Sequence, residues 1–205
     1  MMRLFGHARS RASRSLWMLE EIGIPYEHVP TRPYTESRSP EYLRVNPNGH
    51  IPSLDDDGFI LWESLAINMY LAENYGGAPL WPAETKEHAR VYQWSLWAAN
   101  EIEPRIVSIA KGLSQKSPDP VAVKAGLGQL AAALRVLEEE LHNPYLLGDT
   151  FTVGDLNLAS TLREPGEDGI SGIAAVDLAP FPNVARWLDR CSARPANRRA
   201  ASLAG

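Results

Sequence analysis

Residues 51–64 read IPSLDDDGFILWES. Two short apolar runs, 51–54 and 59–62, flank Asp55-Asp56-Asp57-Gly58. An Asp-Gly pair between such runs is a strong hairpin signal, so the two runs are expected as antiparallel neighbours. The residues after them, 64–74, carry a helical pattern that Gly76-Gly77 closes. Upstream, residues 2–6 form an apolar run, and 15–22 place Leu16, Leu19 and Ile22 at helical spacing before Gly23-Ile24-Pro25 stops the helix. Residues 26–29 suit a second strand, and Ser39-Pro40 supplies a serine N-cap with proline at the first helical position of another helix. The order βαβ, helix, β-hairpin, helix predicts a small α/β sheet domain over 1–77.

Ala78-Pro79-Leu80-Trp81-Pro82 reads as part of a linker over 78–84, and nothing beyond it shows strand alternation. Residues 85–205 are expected to be all-helical. Thr85 is placed to cap a long helix carrying Tyr92, Trp94 and Trp97, and Leu127, Leu130, Leu134, Leu137 and Leu141 step along one face as core positions, with Asn143-Pro144 ending that helix. In Phe151-Thr152-Val153-Gly154-Asp155-Leu156, Thr152 at an N-cap and Asp155 at N3 fit a capping box, with Phe151 stapled onto Leu156. This is a structural signal rather than a catalytic one.

The chain has 205 residues, 44% hydrophobic and 22% charged, with 20 basic against 25 acidic side chains and a formal net charge of -5. That is the composition of a globular protein, and the negative balance argues against nucleic acid as a partner. No run approaches the roughly 18 apolar residues of a spanning helix, and no apolar segment of signal-peptide type follows the basic start, so neither a membrane nor secretion is expected and a cytoplasmic location is the default. GHARSRASRS, residues 6–15, has the composition of a transit peptide, but its removal would take away the first strand. The single cysteine, Cys191, excludes an internal disulfide, a zinc ribbon or a CxxC pair, and no metal site is expected.

Three places join polar residues to backbone constraint at strand ends: the opening loop, Asn46-Pro47-Asn48-Gly49-His50-Ile51-Pro52, and Trp62-Glu63-Ser64. In open α/β sheets, loops and helix N-termini converge at such ends and receive ligands. Ser64 at a helix N-terminus suits a carboxylate and Glu63 an ammonium group, together the head group of an amino acid; the competing reading is that Ser64 caps its own helix. A cis Ile51-Pro52 bond would let Ile51 turn its backbone N–H and C=O toward a ligand.

The chain resembles the cytosolic glutathione S-transferases over nearly its whole length: SRSLWMLEEIGIPYE, SPEYLRVNPNGHIPSL, ESLAINMYLAENYG, YLLGDTFTVGDLNLAS and FPNVARWLDRCSARPANRRA occur in the family's order. The resemblance implies a thioredoxin-like N-terminal domain that binds glutathione, followed by an all-helical domain that forms the second-substrate site. It implies that Ile51-Pro52 is the family's cis-proline dipeptide, pairing with the cysteinyl part of glutathione, and that Glu63 and Ser64 hold the γ-glutamyl end. His50 falls where the family often has Lys or Gln facing the glycyl carboxylate; a neutral histidine donates one hydrogen bond there without a permanent charge. A homodimer is implied as well.

Serine-type, theta-like members place a hydroxyl after the first strand, three residues before a Ser-Arg pair, where it donates to the glutathione sulfur. Ser13-Arg14 supplies the pair, so Ser10 matches, with Ser13 a close competitor and Ser15 a helix-start residue. A free thiol has a pKa of about 8.5, and lowering it by about two units needs roughly 2.7 kcal/mol. A hydroxyl donating to a charged acceptor supplies about 1.5–3 kcal/mol and a helix N-terminus about 0.3–1 kcal/mol more. The implied activity is thiolate attack on a small, largely apolar electrophile. The opening loop has no tyrosine or cysteine, and Cys191 reads as a buried structural thiol, against a thioltransferase. Arg105, Lys111, Tyr92, Trp94 and Trp97 are candidates to line the second pocket, while Arg163-Glu164-Pro165-Gly166-Glu167-Asp168-Gly169 breaks the continuous helix usual there. The alternatives are a glutathione-binding or structural relative without turnover, and a glutathione-dependent isomerase, peroxidase or ether-cleaving enzyme.

Overall fold

The computed structural model describes residues 1–114, 118–163 and 172–204. The chain divides into two units, one comprising Met1–Trp81 with Arg194–Gly205 and the other Pro82–Ala193. The terminal residues therefore group with the sheet unit, whereas the sequence pattern assigns them to the helical one.

The first unit is built on a four-stranded sheet of β1 (Arg3–Phe5), β2 (Glu27–Val29), β3 (Ser53–Asp56) and β4 (Phe59–Trp62) in the order β2-β1-β3-β4. β1 runs parallel to β2 and antiparallel to β3, with Leu4 opposite His28 on one side and Leu54 on the other. β3 and β4 are the expected antiparallel pair, Asp56 facing Phe59 across a two-residue turn. Both turn residues have positive φ, 49° at Asp57 and 96° at Gly58, the geometry of a type I′ hairpin turn that matches the twist of its strands. The third strand starts at Ser53 rather than at residue 51, because His50, Ile51 and Pro52 bend away from the ladder.

Helix α1 (Ala12–Ile22) links β1 to β2, α2 (Pro40–Leu43) is a single turn capped by Ser39 Oγ on the Tyr42 N–H, and α3 (Ser64–Leu71) follows β4. α1 begins three residues before the expected start, because Ser10 Oγ accepts from the Ala12 N–H at 3.2 Å and opens the helix there. Its apolar face, with Leu16, Met18 and Leu19 at zero exposure, joins Leu4, Leu54, Ile67 and Leu71 in the core. Burying each such side chain stabilises the fold by about 1.5–3 kcal/mol. After α3 the chain widens into a π-helical turn, Ala72–Gly76, and Asp56 Oδ2 accepts from both Tyr70 (2.7 Å) and Tyr75 (2.5 Å), tying this end to the hairpin.

The second unit contains α4 (Thr85–Trp97), α5 (Glu103–Ser114), α6 (Pro120–Glu140), α7 (Val153–Arg163) and α8 (Pro182–Ser192), with a π-helical turn Ala98–Ile102 joining the first two. Thr85 is the first residue of α4 and not its cap; Glu84 holds that position without a side-chain hydrogen bond. Leu130, Leu134, Leu137 and Leu141 are buried, and Leu127 is half-buried. By length and composition alone α6 could cross a membrane; one face of it, with Leu130, Leu134 and Leu137 buried, packs against α5 and α8. α7 is buried from Val153 to Leu162, and its polar groups are met: Asn157 Nδ2 donates to Ser95 Oγ at 2.9 Å and Thr161 to the Asn157 carbonyl at 2.8 Å. The break at residues 164–169 lies outside the described residues.

Helix α9 (Pro195–Ser202) lies along α1 in the first unit, with Ala196 and Ala200 buried. Arg194 makes a bidentate pair with Glu21 (2.7 and 2.8 Å), and Arg199 donates to the Glu20 carboxylate and carbonyl, both at 2.7 Å.

Candidate active site

Three segments of the first unit converge at the ends of β1 and β3. The loop before β3 is held from below by side chains. The Tyr42 hydroxyl donates to the His50 carbonyl at 2.6 Å and lies 2.9 Å from Ser53 Oγ, while Asn46 Nδ2 donates to the same carbonyl at 2.9 Å. Asn46 also receives the Asn48 N–H on its Oδ1 at 3.0 Å, closing an Asx turn. Both anchors are buried, and burial pushes the Tyr42 hydroxyl pKa above the usual tyrosine range, so it stays a donor. The Ile51–Pro52 peptide is cis. Among the described residues no hydrogen bond engages the Ile51 N–H or C=O, and His50 is exposed. Arg38 lies beside this loop, its Nη1 donating to the Asn48 carbonyl at 2.9 Å.

At the start of α3, Glu63 is the N-cap with φ 77° and ψ 110°. A non-glycine residue there costs of order 1–3 kcal/mol, and such strain clusters at ligand sites. Glu63 is exposed, and Ser64 is 4% exposed in the first turn, where helix N–H groups and the dipole favour an anion. Ser64 is the first residue of α3 rather than its cap, a place Glu63 holds, and its hydroxyl accepts from Arg14 Nη1 at 3.4 Å.

The opening loop runs from Gly6 to Arg11. Gly6 permits close approach here: a Cβ at this position would sit 2.5 Å from Ala12 Cβ and 3.6 Å from Pro52, so the loop lies against the cis-proline. Ser10 precedes α1, its hydroxyl donating to the His7 carbonyl at 2.6 Å and accepting from the Ala12 N–H at 3.2 Å. Ser13 lies in the first turn of α1, half-buried, its hydroxyl without a protein partner among the described residues.

The chain pattern thus brings the opening loop, residues 46–52 and the start of α3 to one place in the first unit. Thr152 and Asp155 lie in the second unit, where Asp155 Oδ2 accepts from the Thr152 N–H and hydroxyl, both at 3.0 Å, and Oδ1 from the Leu146 N–H and Trp187 Nε1, both at 2.9 Å. Sequence reasoning passed over Tyr42, Asn46 and Arg38. Asn46 stood in a motif it singled out, but nothing in the pattern showed that its amide faces inward.

Models of the glutathione S-transferase N-terminal domain and of the glutathione S-transferase C-terminal domain match residues 1–73 and 104–195. The chain is 32% identical over 207 residues to glutathione S-transferase GstB of Escherichia coli (strain K12), covering 97% of both chains. The chain belongs to the glutathione S-transferase family. Among other relatives of this transferase, glutathione S-transferase 3 of Zea mays is 34% identical over 192 residues, covering 87% of this chain and 83% of the maize one. The theta class glutathione S-transferase of Xanthomonas axonopodis pv. citri, solved with glutathione bound, superposes with a TM-score of 0.85 at 28% identity, covering 98% of this transferase and 96% of that chain. The expected pairing of a thioredoxin-like domain with a helical one is the fold found.

In the second unit, Trp94 is buried edge-on to Trp97 at 5.4 Å, Tyr92 and Lys111 are exposed, and Arg105 pairs with Glu101 at 2.8 Å. Cys191 is buried in α8.

Proposed function

We propose that the protein binds glutathione in the first unit and transfers its thiolate to a small, largely apolar electrophile, with Ser10 as the hydroxyl that meets the sulfur. The observation that carries this reading is the start of α3, where a strained Glu63 sets an exposed carboxylate beside a buried Ser64 at a helix N-terminus. That pair matches the ammonium and carboxylate of a γ-glutamyl group. The open N–H and C=O of Ile51 suit main-chain pairing with the cysteinyl residue, as an extended peptide pairs with a strand. Beyond it, His50 and the Arg38 guanidinium meet the glycyl carboxylate, so Arg38 supplies the permanent charge that His50 lacks.

Ser10 accepts from the Ala12 N–H, which fixes and polarises its hydroxyl. Its proton turns from the His7 carbonyl to the stronger acceptor, a thiolate, when glutathione is bound. Ser13 offers a hydroxyl one turn further on, and the two are separated by experiment. The enzyme in this reading is a cytoplasmic homodimer serving detoxification, its exposed Phe59 and Trp62 on the edge strand β4 giving the first unit an apolar surface suited to a second copy.

The test is conjugation of glutathione to a generic aromatic electrophile by wild type, Ser10→Ala and Ser13→Ala, with glutathione affinity measured beside it. Loss of one oriented donor lowers kcat by roughly 10²-fold, expected for Ser10→Ala with affinity little changed. Activity intact in both variants would sink the serine-thiolate mechanism, and binding without turnover in wild type would favour a non-catalytic relative.

A further inference from the structure

We infer that Arg14 is a positioning residue that makes Ser64 selective for an anion; this rests on the γ-glutamyl reading of the α3 end. Arg14 is 2% exposed, one of the largest fully buried side chains, and it lies in the first turn of α1. Its Nη1 donates to Ser64 Oγ at 3.4 Å, and the next residue, Ser15, donates its hydroxyl to the Ser64 carbonyl at 3.5 Å. Two consecutive residues of one helix therefore hold both the side chain and the backbone of the first residue of another.

The consequence follows from the inventory of a hydroxyl, which has one proton and two lone pairs. A guanidinium never accepts and stays protonated, so in its 3.4 Å contact with Ser64 Oγ the hydroxyl is the acceptor. The Ser64 proton is then left to donate to something else. Arg14 takes one of the two lone pairs, and the cation turns the hydroxyl proton away from itself, so that the proton is presented to a carboxylate of the ligand. The buried positive charge behind the hydroxyl acts in the same direction, at a helix end that already favours anions. Arg14 thus selects the α-carboxylate of the γ-glutamyl group without touching it.

The experiment compares the Kd of glutathione with that of its analogue in which the γ-glutamyl α-carboxylate is replaced by hydrogen. It uses the full chain as wild type, Arg14→Met, Arg14→Lys, Ser64→Ala and the Arg14→Met/Ser64→Ala double variant, with thermal unfolding of each. Wild type is expected to favour glutathione by about tenfold or more, the worth of a charge-assisted hydrogen bond. The preference falls to within about threefold in Arg14→Met and in Ser64→Ala, and the double variant loses no more than either single one, as for two groups acting as a unit. Arg14→Lys, which keeps the charge but not the fork, retains part of the preference and tests the proposal if Arg14→Met does not fold. A wild-type preference kept in full by both Arg14 variants would overturn the role of Arg14 while leaving the transferase reading intact. A wild type that binds neither peptide would overturn the glutathione reading itself, and this inference with it.

Discussion

Tyr42 Oη lies 2.6 Å from the carbonyl of His50, across the base of the loop that leads into the cis-proline. The phenol and the Asn46 amide both donate to that oxygen, so the position of residues 50–52 is set by two buried side chains from the segment before them. Removing the hydroxyl in Tyr42→Phe leaves Asn46 as the remaining donor and frees Ser53 Oγ of one partner. The expected cost is about 1–2 kcal/mol of stability, with a several-fold weaker Kd for glutathione and a smaller change in kcat. Calorimetric binding together with thermal unfolding checks this; a variant equal to wild type in both would show that the loop holds its shape without the phenol.

Asp155 has a larger structural part. Four donors from three segments of the second unit converge on its carboxylate, and burial pushes its pKa up while those donors hold it down. Asp155→Ala would leave the Leu146 and Thr152 N–H groups and the Trp187 indole unpaired. Each unmet buried donor costs about 1–3 kcal/mol, so a loss of roughly 3 kcal/mol or more is expected, a large part of the 5–15 kcal/mol that domains possess. Asp155→Asn, which keeps one acceptor oxygen, falls between the two. Urea unfolding of the three proteins measures the order, and an alanine variant within about 1 kcal/mol of wild type would contradict the hub.

The sheet was legible because its signals are local. Asp57-Gly58 can turn only one way between two apolar runs, and Ser39-Pro40 and Gly23 mark helix ends by their own chemistry. Family order then located the loop at 51–52 and the Glu63-Ser64 pair. What stayed hidden depends on contacts distant in sequence. Arg14 read as one of several basic residues in a loop, yet it is buried against Ser64, fifty positions away. Tyr42 carries no signal of its own in the pattern, and its hydroxyl partner is set by a loop whose path no periodicity encodes. The grouping of α9 with the sheet unit was hidden for the same reason, since a helical pattern does not say which surface it will cover, and the pairs Arg194–Glu21 and Arg199–Glu20 bridge opposite ends of the chain.

The acid limb of the stability curve carries a sign that Asp55 fixes. Arg3 and then the Gly58 N–H, at 2.8 Å, hold its carboxyl below the ordinary aspartate range. With the folded pKa below the unfolded one of about 3.9, the folded state binds fewer protons. This contribution is therefore present above the unfolded pKa and lost as pH falls through the folded value. Asp155, shifted up by burial, acts in the opposite sense, its contribution shrinking as pH rises from the unfolded toward the folded value. Asp55→Asn keeps an acceptor for Gly58 but cannot be protonated, so its unfolding free energy should fall less steeply than that of wild type below about pH 4. Chemical denaturation at a series of acidic pH values decides it: parallel slopes would mean that Arg3 does not hold Asp55 in solution.

Gly49 makes the sharpest steric demand near the site. Its φ is 61°, and a Cβ built there would lie 2.7 Å from Arg38 Nη1, 2.9 Å from Arg38 Cδ and 2.9 Å from the carbonyl oxygen of Ser37. The arginine can swing away, but the carbonyl belongs to the backbone and can yield only if the 37–38 segment moves. Gly49→Ala therefore combines a left-handed backbone penalty of about 1–2 kcal/mol with displacement of that segment. Arg38 then loses its hold on the Asn48 carbonyl and with it its place beside residues 48–49. In the proposed site this removes charge from the glycyl end alone, so KM for glutathione should rise by roughly tenfold, the worth of one charged hydrogen bond, while kcat is retained. Arg38→Ala, which carries no backbone strain, should raise KM alike with a smaller loss of thermal stability. A normal KM in Arg38→Ala would show that the cation beside residues 48–49 does not meet the peptide, whatever Gly49→Ala does to the loop.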